Sequence, residues 1–329
     1  MAPATLKDVA RLSGVSLATA SRAINNRGEV NPETRARVLQ VAEQIGYVPS
    51  SLAKGLWSGE TRVIGVIITT IENPFYANVV SGIEKVLKEQ GYNILLCSSY
   101  EDIQQESGAI TVLLEQRVDG LILAPVQSKP EVVERLQKNN LPFVLVGRTI
   151  PGIDTSYVVC DDYQIGAMAA EHLTAKGHER ILFINSSLNY SAQLRARGFA
   201  ARMKELGIKL DPKWIKSVPF HTDAKYKLFE ALEQGLEPSA VFCFCDYMAL
   251  EILHGIKERG LKVPDDIAVM GVDNLLITEI TDPPLTSIDI QNQEMGILSA
   301  EILLRKLREP TAKPEQMILS PKLVERAST

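Results

Sequence analysis

The spacing of apolar residues changes character once along this chain. Up to Gly46 they recur every three or four positions, and from Val63 onward compact apolar runs alternate with longer amphipathic segments. Leu6, Val9, Ala10 and Ser13 predict a short helix with one apolar face. Thr5-x-x-Asp8 supplies its capping box, in which the threonine oxygen meets the third helical N–H. Gly14 can take the positive φ of a tight reversal, with Val15 as an apolar plug. Ser16 caps a second helix from Leu17 to about Asn25 whose apolar positions are Ala20 and Ile24. Asn31-Pro32-Glu33 opens a third, carrying Val38, Val41, Ala42 and Ile45 and stopping near Gly46.

Three short helices with a glycine turn between the first two form a helix-turn-helix module, whose second helix enters the major groove of DNA. Leu17, Ala18, Ser21 and Arg22 then face base edges, with Arg22 placed for bidentate reading of a guanine. Ser16, Thr19 and Asn25 fall near phosphates, and Thr5 completes the set at the head of the first helix. The bland alternative is a small capped helical bundle. Pro49 to Gly59 sharpens the choice: Ser50 or Ser51 can cap a helix over Leu52 to Trp57 that includes Ala53 and Leu56. Two turns are marginal in water unless something holds them. Leu56 suits a wedge into a minor-groove base step, although the serines and glycines also suit a plain linker.

Beyond Val63 the predicted strands are 63–69, 92–97, 120–124, 143–147, 157–160, 180–184, 240–245 and 267–272, with a further strand-like segment from Ile318 to Val324. Helical periods fill most gaps, as at Tyr76–Gln90, Ile103–Gln116, Gln164–Lys176 and Ala192–Leu206. Continuous apolar strands alternating with helices mean parallel sheets covered on both faces. The fold class is thus an all-α helix-turn-helix segment followed by a two-lobed α/β core. The expected domains are 1–49 for DNA binding, 50–59 for the hinge and 60–329 for the core. Its first lobe is placed at about 62–161 and 291–319, its second at about 162–290 and 320–329. Ligands of open α/β sheets sit beyond the carboxyl ends of the strands. Those ends carry Thr69, Thr70, Asn73 to Tyr76, Gly147-Arg148, Asn185 to Arg195, Cys245-Asp246 and Asp273-Asn274. Hydroxyls, amides, arginines, carboxylates and rings in one place suit a small polyhydroxylated ligand.

TLKDVARLSGVS, TASRAIN and YVPSSLAKGL, followed by QRVDGLIL, KGHERILFI, CDYMAL and DPPLTSI, resemble the lactose-repressor/galactose-repressor (LacI/GalR) family of bacterial transcription regulators. The resemblance implies a periplasmic-binding-protein-like core. Arg195 matches the family's ligand-clasping arginine, Asp273 its hydroxyl-binding aspartate, Phe75-Tyr76 its aromatic pair and Phe220 a second aromatic wall. Thr69, Asn189 and Ser191 are further matches, and Arg148 and Asp246 join them from the strand-end reading. Many sugar-binding members have an aspartate where this chain has Gly147, and an asparagine or similar polar group where it has Cys245. The implied function is a homodimeric repressor on a pseudo-palindromic double-stranded operator, released or retained by a small effector. A sugar is the first expectation, then a sugar phosphate, then a purine.

Charge and composition fit this picture. Residues 1–59 hold 7 Lys and Arg against 4 Asp and Glu, a net of +3, whereas the remainder holds 28 against 36. A basic head on an acidic body presents one end to phosphate. No run is long and apolar enough to span a membrane and no leader is read, so cytoplasmic residence is expected. The four cysteines read as reduced, mostly buried thiols, and no metal, cofactor or catalytic group is expected. A solute-binding protein and an enzyme are the competing classes. The first would need export, and the second would need a nucleophile–base pair or phosphate loop that the chain does not display. The end at Thr329 carries no heptad extension, so a dimer is expected.

Overall fold

The computed structural model describes residues 4–48, 60–126, 130–186, 190–219 and 224–329. Contacts divide the chain into two units, Met1–Arg62 and Val63–Thr329. In the first, α1 (Leu6–Ser13), α2 (Leu17–Ile24) and α3 (Pro32–Gln44) enclose a small core of Val9, Ala10, Ala20, Ala23, Val38 and Ala42. Their starts follow the capping chemistry. Thr5 Oγ1 accepts from the Asp8 N–H at 3.3 Å, and Asp8 Oδ2 accepts from the Thr5 N–H at 3.1 Å. Ser16 Oγ accepts from Thr19 N–H, and Asn31 Oδ1 from Glu33 N–H. Gly14 ends α1 at φ 66°, a left-handed conformation that glycine adopts without steric cost.

The second unit holds two six-stranded sheets. One contains β1 (Val63–Ile68), β2 (Asn93–Ser98), β3 (Gly120–Leu123), β4 (Phe143–Val146), β5 (Tyr157–Cys160) and, late in the chain, β11 (Gln316–Leu319). Its order is β11-β5-β4-β3-β1-β2, with every neighbouring pair parallel. The other contains β6 (Ile181–Ser186), β7 (Ile215–Val218), β8 (Ala240–Cys243), β9 (Ala268–Val272), β10 (Thr286–Asp289) and β12 (Lys322–Val324), in the order β12-β10-β9-β8-β6-β7. Here β12 runs antiparallel to β10 while the other pairs are parallel. The chain passes between the sheets after β5, after β10 and after β11. The apolar segment expected as one strand to Val324 is therefore two strands in different sheets, broken at Ser320-Pro321. β7 and β10 were not anticipated. Both are four residues long and carry polar side chains, so neither makes an apolar run.

Helices cover both faces, which is why β3, β4, β8 and β9 are buried along their whole length. Two helix pairs position the carboxyl ends of the strands. α4 (Pro74–Glu89) packs on α11 (Asn292–Arg308), and α7 (Asp162–Ala175) on α8 (Tyr190–Glu205). Each crossing is close because glycines lie in it. A Cβ on Gly296 would stand 2.0 Å from the Val79 carbonyl, and one on Gly166 would stand 1.9 Å from the Arg195 carbonyl. Helix α5 (Ile103–Glu115) lies over the first sheet, and α10 (Asp246–Glu258) follows β8.

Candidate functional site

On the first unit, the exposed side of α2 carries Leu17, Ala18 and Arg22, with Ser21 half-buried beside them. These are positions i, i+1, i+4 and i+5, so they share one face, opposite the buried Ala20 and Ala23. Ser16 is exposed, and its hydroxyl lies 2.9 Å from the Thr19 hydroxyl. Asn25 turns back onto its own helix, its Nδ2 donating to the Ser21 carbonyl. Thr5 is exposed and committed to its capping box. Ser50, Ala53 and Leu56, with the whole expected hinge helix, lie outside the described residues.

On the second unit, side chains from the carboxyl ends of both sheets line one small cavity of about 40 Å³, room for a few waters. Of the residues anticipated from sequence, Phe75, Tyr76, Arg148, Ser191, Arg195 and Asp273 line it. Asn73 caps α4 by accepting from the Phe75 N–H at 3.0 Å, which aims the first turn of that helix, and so both rings, at the cavity. The Phe75 and Tyr76 rings meet edge to face, 4.7 Å between centroids. Burial pushes the Tyr76 phenol up, against the nearby Arg148 charge.

Both arginines arrive with a carboxylate of their own. Arg148 donates two parallel bonds to Glu101, at 2.8 and 2.6 Å, and a third to the Pro125 carbonyl at 3.3 Å. Arg195 Nε donates to Asp162 Oδ1 at 2.8 Å, its Nη1 donates to the Phe244 carbonyl, and its guanidinium carbon lies 4.2 Å from the Phe244 ring centroid. Asp273 differs. It is 4% exposed and holds a φ of 114°, unusual for a residue with a Cβ. Among the described residues none donates a hydrogen bond to its carboxylate. Burial, reinforced by the negative charge of Asp246, raises its pKa well above the usual carboxylate range. A strained backbone at a buried carboxyl group is a functional signature.

Asp246 and Thr69 are among the anticipated residues that do not line the cavity. Asp246 is fully buried, its carboxylate accepting from the Leu275 N–H at 2.9 Å and from Ser287 Oγ at 2.7 Å, so it braces the loop after β9. Thr69 is fully buried just past β1 and does not line the cavity. Asn189 and Phe220 fall outside the described residues. Sequence reasoning missed Asp162, Phe244, Cys160, Ile290 and Met295, all of them lining, and Glu101 behind Arg148. Asp162 was legible in principle: it stands two residues past a strand that had been read, whose end was not followed. Gly147 and Cys245 do line the cavity. A Cβ on Gly147 would stand 3.5 Å from the Phe75 ring. Burial raises the Cys160 thiol to about 12 and pushes the Cys245 thiol up as well, so both stay neutral.

Comparison with known proteins accounts for both units. Residues 5–50 match the model of bacterial regulatory proteins of the lacI family. Residues 61–327 match that of periplasmic binding proteins and the sugar binding domain of the LacI family. The HTH-type transcriptional repressor PurR of Aliivibrio fischeri (strain MJ11) is 32% identical over 330 aligned positions, covering 99% of this chain and 98% of that protein. The ribose operon repressor of Escherichia coli (strain K12) is 33% identical over 328, covering 99% of each. The solved lac repressor dimer bound to operator and an anti-inducer superposes with a TM-score of 0.85 at 25% identity, over 100% of this chain and 99% of that one.

Proposed function

The chain belongs to the LacI family of bacterial transcription regulators, with a DNA-binding segment and an effector-binding core, and on that premise we propose that it represses sugar-utilisation genes. It does so as a homodimer on a pseudo-palindromic operator. In each copy the exposed face of α2 reads a half-site in the major groove, with Arg22 on a guanine and Ser16 and Thr19 beside phosphates. The stretch that includes Ser50, Ala53 and Leu56 contacts the centre of the operator, where Leu56 opens a minor-groove step.

The effector binds between the lobes, and the observation that carries this is Asp273. Its carboxyl group sits on a strained backbone beside Arg195 and the Phe75 and Tyr76 rings and accepts no hydrogen bond from the described residues, which offers a hydrogen-bonding group to a ligand. A cavity of about 40 Å³ is too small for a sugar ring, so binding requires the lobes to move apart and close again. That motion is the coupling: a ligand changes operator affinity only by binding one arrangement better than the other. Induction, the release of DNA on ligand binding, is the expected sign. The core acts as a binder in the cytoplasm rather than as an enzyme.

A thermal-shift screen against sugars, sugar phosphates and purines tests this reading. A ligand at ~100 times its dissociation constant adds ~2.7 kcal/mol of stability. The expected hit is lost in both Arg195→Ala and Asp273→Ala. A hit that survives both variants places the effector elsewhere.

A further inference from the structure

The backbone that presents Asp273 to the cavity is held from outside by one side chain far along the sequence. Asp273 and the next residue, Asn274, both carry a positive φ, 114° and 50°, and neither is a glycine. Two such residues in succession persist only where the surroundings fix them. Part of the fixing is local to the sheet. The Asp273 N–H donates to the Ile288 carbonyl and the Asn274 N–H to Ser287 Oγ, both on β10, while the Leu275 N–H donates to the buried Asp246 carboxylate. The chain then makes a single 3-10 turn, Leu276–Glu279, whose Leu276 and Ile277 side chains are exposed, so its apolar side chains do not anchor it.

Arg326 supplies an anchor. Its side chain is 13% exposed, and its guanidinium donates to Asn274 Oδ1 at 2.8 Å, to Thr278 Oγ1 at 3.2 Å and to the Leu285 carbonyl at 2.8 Å, and pairs with Glu279 at 3.3 Å. One planar fork therefore grips the residue before the turn, the turn itself and the approach to β10, an arrangement that a single ammonium group does not reproduce. The fork is fixed in its turn. The Arg326 N–H donates to Thr286 Oγ1 at 2.9 Å, and that hydroxyl donates back to the Arg326 carbonyl at 3.2 Å. Ser328 is fully buried, accepting from the Thr286 N–H and donating to the Val269 carbonyl. The segment beyond β12 is thus tied to β9 and β10, the strands that flank the loop.

We propose that Arg326 is a positioning residue of the effector site: it touches no ligand, and by clasping Asn274, Thr278 and Leu285 it holds the Asp273 carboxyl group at the cavity. Loss of the clasp lets the two positive-φ residues relax, which turns the Asp273 side chain away from the cavity that it lines together with Arg195. This rests on the reading that the cavity between the lobes is the effector site.

The test uses the full chain and two readouts. Hydrogen exchange at pH 7 reads the loop: in Arg326→Gln the peptide covering 273–280 should exchange about tenfold faster or more, with β6 and α8 unchanged. Calorimetric titration with D-ribose, D-glucose, D-galactose, D-glucose 6-phosphate and adenine reads the site. The probe that wild type binds and Arg195→Ala loses should bind about tenfold more weakly in Arg326→Gln. Arg326→Lys keeps the charge but not the fork and should show both effects; it decides by itself should Arg326→Gln fail to fold. An unchanged exchange rate in the loop, or wild-type behaviour of Arg326→Lys, overturns the clasp. Faster exchange with undiminished affinity would make Arg326 a structural residue only, which overturns the proposal and leaves the effector site in place. If no probe binds in a way that Arg195→Ala abolishes, the reading of the cavity fails and the proposal falls with it.

Discussion

Asp273 and Arg22 show how differently a single residue can be committed. Burial and Asp246 raise the Asp273 pKa, so its protonated form is favoured by the fold. Its contribution to stability is therefore complete below the unfolded carboxylate value of about 3.9 and is lost as the pH rises through the folded value. At neutral pH the unliganded protein bears that cost. Asp273→Asn should raise the melting temperature of the ligand-free protein at pH 7, by about 2 °C or more for a core of this size. The gain should vanish as the pH approaches 4, where aspartate and asparagine are both neutral. Melting curves across that range check it, and a variant less stable than wild type at pH 7 would contradict a cost of burying the ionised group. Arg22 is exposed, its Nε donating to the Ala18 carbonyl at 3.3 Å. Arg22→Ala should leave stability within ~0.5 kcal/mol and relax discrimination at one base pair of each half-site by ~1–3 kcal/mol. Selection of binding sites from random DNA with both proteins would read this directly.

At the scale of elements, the packing of α7 on α8 sets where Arg195 stands. Gly166 faces the backbone of Arg195 itself, and Gly198 faces that of Tyr163, each leaving 1.9 Å for an added Cβ. Gly166→Ala has to push the helices apart, at a cost of ~1–3 kcal/mol, and in doing so shifts Arg195 relative to Asp162. We expect lower stability and a weakened effector response from a substitution that touches no ligand. Gly108 on α5 is the control. It is exposed, with nothing within 4 Å of its would-be Cβ, so Gly108→Ala should stabilise by ~0.5–1 kcal/mol through helix propensity alone. Calorimetry on the two variants separates close packing from backbone entropy. If both stabilise, the helix crossing is looser than these distances require.

At the scale of the whole molecule, the two units are joined by linkage. If an effector lowers operator affinity by some factor, operator DNA must lower effector affinity by the same factor. Titrating the effector with and without a duplex operator should return that equality, commonly 5- to 150-fold. A ligand that binds tightly in the Arg195-dependent manner yet leaves operator affinity unchanged would mean that the core does not report to the DNA-binding unit. Operator affinity should also fall steeply with salt, as expected when lysines and arginines displace counterions from phosphate.

What the sequence determined by itself is whatever depends on near neighbours in the chain. The caps at Thr5, Ser16 and Asn31, the turn at Gly14 and the alternation of apolar strands with helices are set within a few residues. They were enough to identify a helix-turn-helix segment ahead of a parallel α/β core. They also placed Phe75, Arg195 and Asp273 at strand ends, where such folds bind ligands. The tertiary structure decided the pairings. Glu101 reaches Arg148 across 47 residues, Asp162 reaches Arg195 across 33, and Ser287 takes Asp246 away from the cavity across 41. No period or motif encodes which acid answers which base, because in the buried interior that is fixed by proximity in space rather than spacing along the chain.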